Sequence, residues 1–330
     1  MNTDFYKTLT TTRGFVYRYY HLPAQDPSLP ALLFLHGFPT TSSVWEKQIA
    51  FFSKHGFRLL VPDMLGFGET SKPTNPEAYR PSLVCEDILD ILKAEGVDKV
   101  VAIGHDIGSK IVSRLANFHE TRFLGYAFLA VPYSPPRPRH TMEYTVHATK
   151  RMCGYELVGH TLFFAGDDAT DIIGRQLDSF YCAMFPADPK MWVTEVAPIG
   201  ALKAWLEANK TTALPPYLSA KHKEMWCDLF LRNGFAAPLS WFKLLRQAIV
   251  SGVNAADDKA IPLENYVIKR PVFFAAARHD YISRSVLGIA MTNHNCQNAS
   301  VREFNAGHWL MLSHAGEVNA ALFNWIMDLV

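Results

Sequence analysis

The chain carries no excess of charge, no paired cysteine spacing and no long apolar run. Lysine and arginine number 32 against 31 aspartates and glutamates, a formal charge of +1 at pH 7. No block of like charge interrupts that balance, so neither nucleic acid nor a membrane is expected as a partner. Five cysteines, at positions 85, 153, 182, 227 and 296, are odd in number and lack CxxC spacing. That argues against a disulfide framework and for reduced thiols in a cytoplasmic protein. No apolar stretch approaches the roughly 20 residues of a membrane span, and the opening Met-Asn-Thr-Asp-Phe-Tyr-Lys has no signal-peptide core. Internal repeats and low-complexity tracts are also missing. What the 330 residues do contain is 49% hydrophobic and 13% aromatic side chains. That suffices for one large domain, or for one domain carrying an insertion.

Short apolar runs alternate with helical patterns along most of the chain. Arg13 to Tyr20, Ala31 to Leu35, Phe57 to Val61, Val100 to Ile103, Gly125 to Val131, Pro271 to Ala277 and Ala299 to Phe304 read as strands. Helical spacing occupies Val44 to His55, with the hydroxyls of Thr40 to Ser43 suited to capping it. It recurs over Tyr79 to Glu95, stopped by Gly96, then over Lys110 to Phe118 and from about Gly316 to Val330. From His140 to about Asn265 the chain reads as mainly helical and aromatic, with Trp192, Trp205, Trp226 and Trp241 inside it. The fold class is therefore α/β, a mostly parallel sheet with helices on both faces and a helical cap inserted after the sixth strand. Residues 1-132 and 266-330 make the core domain, and 133-265 the cap or lid domain.

The most informative stretch is Val100-Val101-Ala102-Ile103-Gly104-His105-Asp106-Ile107-Gly108-Ser109. A buried strand runs into Gly-x-Asp-x-Gly and then a helix, the context of a nucleophile elbow, where the glycines permit a tight turn and a close helix–strand approach. A serine is the usual middle residue; here it is Asp106. A carboxylate attacking an acyl carbonyl would give a reactive anhydride, whereas attack at a saturated carbon gives an ordinary ester that water can cleave. The alternative for Asp106 is a plain N-cap of the helix starting at Ile107.

A carboxylate nucleophile needs a base to hydrolyse its ester. His308, in Ala306-Gly307-His308-Trp309, follows the last strand and belongs at the carboxyl edge of the sheet, where ligands collect. Asp280, in Ala277-Arg278-His279-Asp280, follows the strand before it and suits the task of orienting His308. The order nucleophile, acid, histidine is that of α/β-hydrolases. Backbone N–H groups of Ile107 and of Phe38, within His36-Gly37-Phe38-Pro39, are the candidate donors to an oxyanion. This chemistry calls for no metal and no organic cofactor.

Taken together, these motifs resemble the α/β-hydrolase superfamily, and within it the fungal-type epoxide hydrolases and their dehalogenase cousins. The glycine-rich loop Asp63 to Ser71 adds to the likeness, which covers essentially the whole chain. The resemblance implies a capped hydrolase that forms an alkyl-enzyme ester and takes a small hydrophobic epoxide and water as its reactants. It leaves open a haloacid or haloalkane dehalogenase, and a diverged cyclase, isomerase or ligand-binding receptor on the same fold. Two cap tyrosines usual in epoxide hydrolases fall at His160 and Phe242, and the tryptophan usual after the nucleophile is Ile107. Fluoroacetate-type dehalogenases place His and Trp where this chain has His160 and Thr161. The cap residues expected at the substrate are His160, Trp241, Phe242 and Tyr155.

Overall fold

Residues 3–138, 142–251 and 257–330 are described by the computed structural model. Among them, eight strands form one sheet: β1 (Tyr6–Thr10), β2 (Val16–Leu22), β3 (Ala31–Leu35), β4 (Leu59–Pro62), β5 (Val100–His105), β6 (Phe123–Leu129), β7 (Val272–Ala277) and β8 (Ala299–Phe304). Their order is β1-β2-β4-β3-β5-β6-β7-β8, with β1 and β2 antiparallel to their neighbours and the other pairings parallel. β3, β4, β5 and β7 are buried at every position, as their unbroken apolar sequences require of strands covered on both faces. β1 has no counterpart in the sequence reading. It is an edge strand with only partial burial, so Tyr-Lys-Thr-Leu-Thr shows no clean alternation.

Helices α1 (Glu46–Lys54), α2 (Pro81–Ala94) and α3 (Ile107–Phe118), with the C-terminal helix Ala315–Met327, cover the sheet. The two faces are told apart by neighbouring residues of β5. Gly104 meets Gly108 of α3. Phe34, level with Ile103 and hence on the opposite face, packs on Trp45 and Phe52 with ring centroids 5.1 and 5.9 Å away. The hydroxyl cluster before α1 does not cap it as expected. Ser42–Trp45 forms a separate 3-10 turn whose preceding Thr41 makes no capping bond. Thr40 instead donates to the Gly37 carbonyl at 2.8 Å, and the Ser42 N–H donates to Asp63 at 2.8 Å. The Thr40 hydroxyl and the Ser42 N–H thus tie down the loop after β3.

Between β6 and β7 the described chain is helical: α4 (Met142–Cys153), α5 (His160–Phe164), α6 (Ala169–Arg175), α7 (Leu177–Met184), α8 (Trp192–Glu195), α9 (Ala201–Glu207), α10 (Ala220–Asn233) and α11 (Ala236–Ser251). Three indoles stitch this segment to the sheet-bearing part. Trp226 donates to the Pro39 carbonyl at 2.7 Å, Trp241 to that of Leu65 at 3.0 Å, and Trp309 to that of Met184 at 2.8 Å. No described helix is long and apolar enough to cross a membrane.

Candidate active site

Asp106 sits where β5 turns into α3, with φ 53° and ψ −119°. Such a backbone costs a non-glycine residue about 1–3 kcal/mol, and the packing around it enforces the turn. A Cβ on Gly104 would come within 2.7 Å of the Gly108 backbone, and one on Gly108 would overlap the Leu35 carbonyl. The N-cap alternative does not hold, because the Asp106 side chain makes no capping hydrogen bond to α3. Its Oδ1 instead accepts the Phe38 N–H at 2.9 Å.

His308 and Asp280 come from the loops after β8 and β7 and meet beneath this carboxylate. The His308 Nδ1–H donates to Asp280 Oδ2 at 2.7 Å, which fixes the tautomer and leaves Nε2 facing Asp106 Oδ2 at 4.0 Å. Asp280 is held in turn, its Oδ1 accepting the N–H groups of Ile282 and Ser283 at 2.9 Å each. It is fully buried and His308 is nearly so, whereas the Asp106 side chain keeps 24% of its surface open. The structure therefore brings together the three residues named from strand-end positions.

The surroundings set the charges. Burial pushes the Asp106 carboxyl above the usual carboxylate range, opposed by the nearby His308 and by the N–H groups of Phe38 and Ile107. Burial alone would depress His308, but the charge and hydrogen bond of Asp280, with the Asp106 charge, outweigh it and leave its pKa raised. His160 has no such partner. Burial, with the charge of His308, lowers it to about 3, so it is neutral across the physiological range.

Above Asp106 lies a cavity of about 210 Å³. Phe38, Phe164, Phe242, Trp192 and Trp309 form much of its wall, and His160 and His308 also line it. His160 and Phe242 thus stand where the sequence put them. Trp241 and Tyr155 do not line it: the Trp241 indole is committed to Leu65 and its ring packs on Tyr79 at 5.2 Å, while the Tyr155 hydroxyl donates to the Tyr281 carbonyl at 2.8 Å. Trp192, Phe164 and Ser283 were not singled out as lining residues. Ser283 could have been, since it follows Asp280 at a strand end; nothing local marks Phe164 among the other cap phenylalanines. A second cavity, of about 700 Å³, shares Trp192, His308 and Trp309 with the first.

An aspartate on the sharp turn after the fifth strand, served by a histidine after the last, is the arrangement of an α/β-hydrolase. The family described as the alpha/beta hydrolase fold matches residues 30–150, and the chain has that fold. Its relatives narrow the likeness. Epoxide hydrolase A of Mycobacterium tuberculosis is 27% identical over 316 residues, covering 93% of each chain. Bifunctional epoxide hydrolase 2 of Sus scrofa is 24% identical over 302 residues, covering 90% of this chain and 51% of that protein. The chain spans about half the length of this and the other mammalian relatives. In three dimensions it superposes on an epoxide hydrolase from an endophytic Streptomyces with a TM-score of 0.82 at 21% identity, over 98% of this chain and 95% of the other.

Proposed function

We propose that the protein is an epoxide hydrolase, with residues 133–265 serving as the lid over a core of 1–132 and 266–330. Asp106 Oδ2 attacks a ring carbon, the carbon–oxygen bond breaks, and its electron pair moves to the ring oxygen. An alkyl ester of Asp106 results. His308 Nε2, oriented by Asp280, then takes a proton from water, whose oxygen attacks the ester carbonyl carbon. The carbonyl oxygen is Oδ1, already held by the Phe38 N–H, and Ile107 supplies the second main-chain donor. Collapse of that intermediate releases the diol and restores the carboxylate. His160 is the side-chain donor to the opened ring oxygen.

The observation that carries this reading is the division of labour within one carboxylate that lines the cavity, with Oδ1 bound by a main-chain donor and Oδ2 4.0 Å from the histidine. The names of the relatives support it. Halide capture has less support, because both cavity indoles already donate to carbonyls, Trp192 to Ala183 at 2.7 Å and Trp309 to Met184. A cytoplasmic setting is part of the proposal, and five free thiols fit it. The test is a single turnover of styrene oxide in heavy-oxygen water, followed by mass analysis of the peptide carrying Asp106. Label on that carboxylate is expected; diol formed without label rules out the covalent route.

A further inference from the structure

We propose that this site selects epoxides bearing an aryl or vinyl group on one ring carbon, and opens them at that carbon. The inference rests on the epoxide-hydrolase reading above and adds the substrate class. Breaking the ring leaves negative charge on oxygen, which must be met by a donor in the cavity or offset by charge stabilisation at carbon. Few donors are available. The Thr161 hydroxyl donates to the Val158 carbonyl at 2.6 Å and that of Ser283 to Ala130 at 3.0 Å. The Trp192 and Trp309 indoles are committed to carbonyls, and among the described residues no tyrosine lines the cavity.

His160 remains. Its ring lines the cavity, and its buried Nδ1 has no hydrogen-bond partner. Burial keeps it neutral, so it offers a hydrogen bond from a weakly acidic N–H rather than an easily transferred proton. The proton that converts the alkoxide to an alcohol comes from water and is balanced by the one His308 removes from the hydrolytic water.

With weak help at oxygen, the barrier is governed by how well the attacked carbon bears partial positive charge. An adjacent π-system spreads that charge, and the aromatic rings of Phe38, Phe164, Phe242, Trp192 and Trp309 line the space where it develops. The size fits as well. A cavity of about 150 Å³ accommodates benzene, and about 210 Å³ leaves room for one ring with its epoxide.

The experiment compares kcat/KM for para-substituted styrene oxides with that for 1,2-epoxyhexane, and locates the oxygen label in diol made over many turnovers in heavy-oxygen water. Styrene oxide is expected to exceed epoxyhexane by at least about tenfold, to quicken with electron-releasing substituents, and to take label at the benzylic carbon. Phe242→Tyr, which adds a phenolic donor, is expected to narrow the gap by raising epoxyhexane turnover. Equal values for the two substrates with no substituent trend, or label at the terminal carbon, overturn the substrate class while leaving the hydrolase reading intact. Diol from neither substrate overturns the hydrolase reading itself.

Discussion

His105, the residue immediately before the proposed nucleophile Asp106, donates from Nε2 to the main-chain carbonyl of His308 at 3.0 Å, and the two rings lie 4.5 Å apart. Burial, followed by the charge of His308, holds His105 well below its ordinary pKa, and the carbonyl it meets sets the tautomer with the proton on Nε2. The turn bearing Asp106 and the loop bearing His308 are thereby joined directly. His105→Leu is expected to lower kcat about tenfold or more by letting the His308 loop shift, with His105→Gln recovering part of the loss. Steady-state kinetics on the two variants checks this, and equal activity in both would dismiss the bond as a positioning device.

The rate of ester hydrolysis should depend on pH in a defined direction. Only neutral His308 can accept a proton, and its pKa is raised above the ordinary 6.5. Hydrolysis is therefore expected to increase with pH through an apparent pKa above about 6.5. Asp280→Asn should move that limb to lower pH and reduce kcat by about 10²–10⁴-fold. The sign for stability is opposite: a raised histidine pKa stabilises the fold fully below its unfolded value and loses that contribution as pH rises through the folded value. Stopped-flow measurement of ester decay and melting curves at several pH values separate the two effects.

Asp106→Asn should leave the fold intact and remove turnover, because an amide oxygen does not displace the ring oxygen as a carboxylate does. Circular dichroism together with diol assay tests this. Turnover within about tenfold of the parent protein would require another nucleophile.

Gly108→Ala is expected to destabilise the protein by about 1–3 kcal/mol or more, as overpacking does, because the added carbon overlaps the Leu35 carbonyl. Thermal unfolding measures the loss directly. An unchanged melting temperature would mean that the elbow relaxes more easily than its packing implies.

Trp241→Phe separates a strut from a wall. Losing the bond to Leu65 should cost about 1 kcal/mol of stability and leave KM within about twofold, since Trp241 does not line the cavity. A severalfold change in KM would place the residue against substrate after all.

The elbow was legible because a glycine pair flanking a polar residue between strand and helix has few other uses. Asp280 and His308 were legible because they end consecutive strands, and parallel order brings such ends together. Side-chain direction in the helical segment was not. Neighbours Trp241 and Phe242 read alike in sequence, yet one packs on Tyr79 and the other lines the cavity. Which face of a helix meets a cavity depends on how it packs on distant elements. The aromatic content of the segment supplies candidates for both faces at once. β1 escaped notice for a related reason, since an edge strand bonds its neighbour through backbone groups that every sequence possesses.

The three indole bonds between the helical segment and the loops beneath it bear on traffic. At about 1 kcal/mol apiece, lifting the roof as one piece would sacrifice about 3 kcal/mol before any packing is disturbed. By those bonds alone a lifted segment is outnumbered about a hundredfold by the seated one.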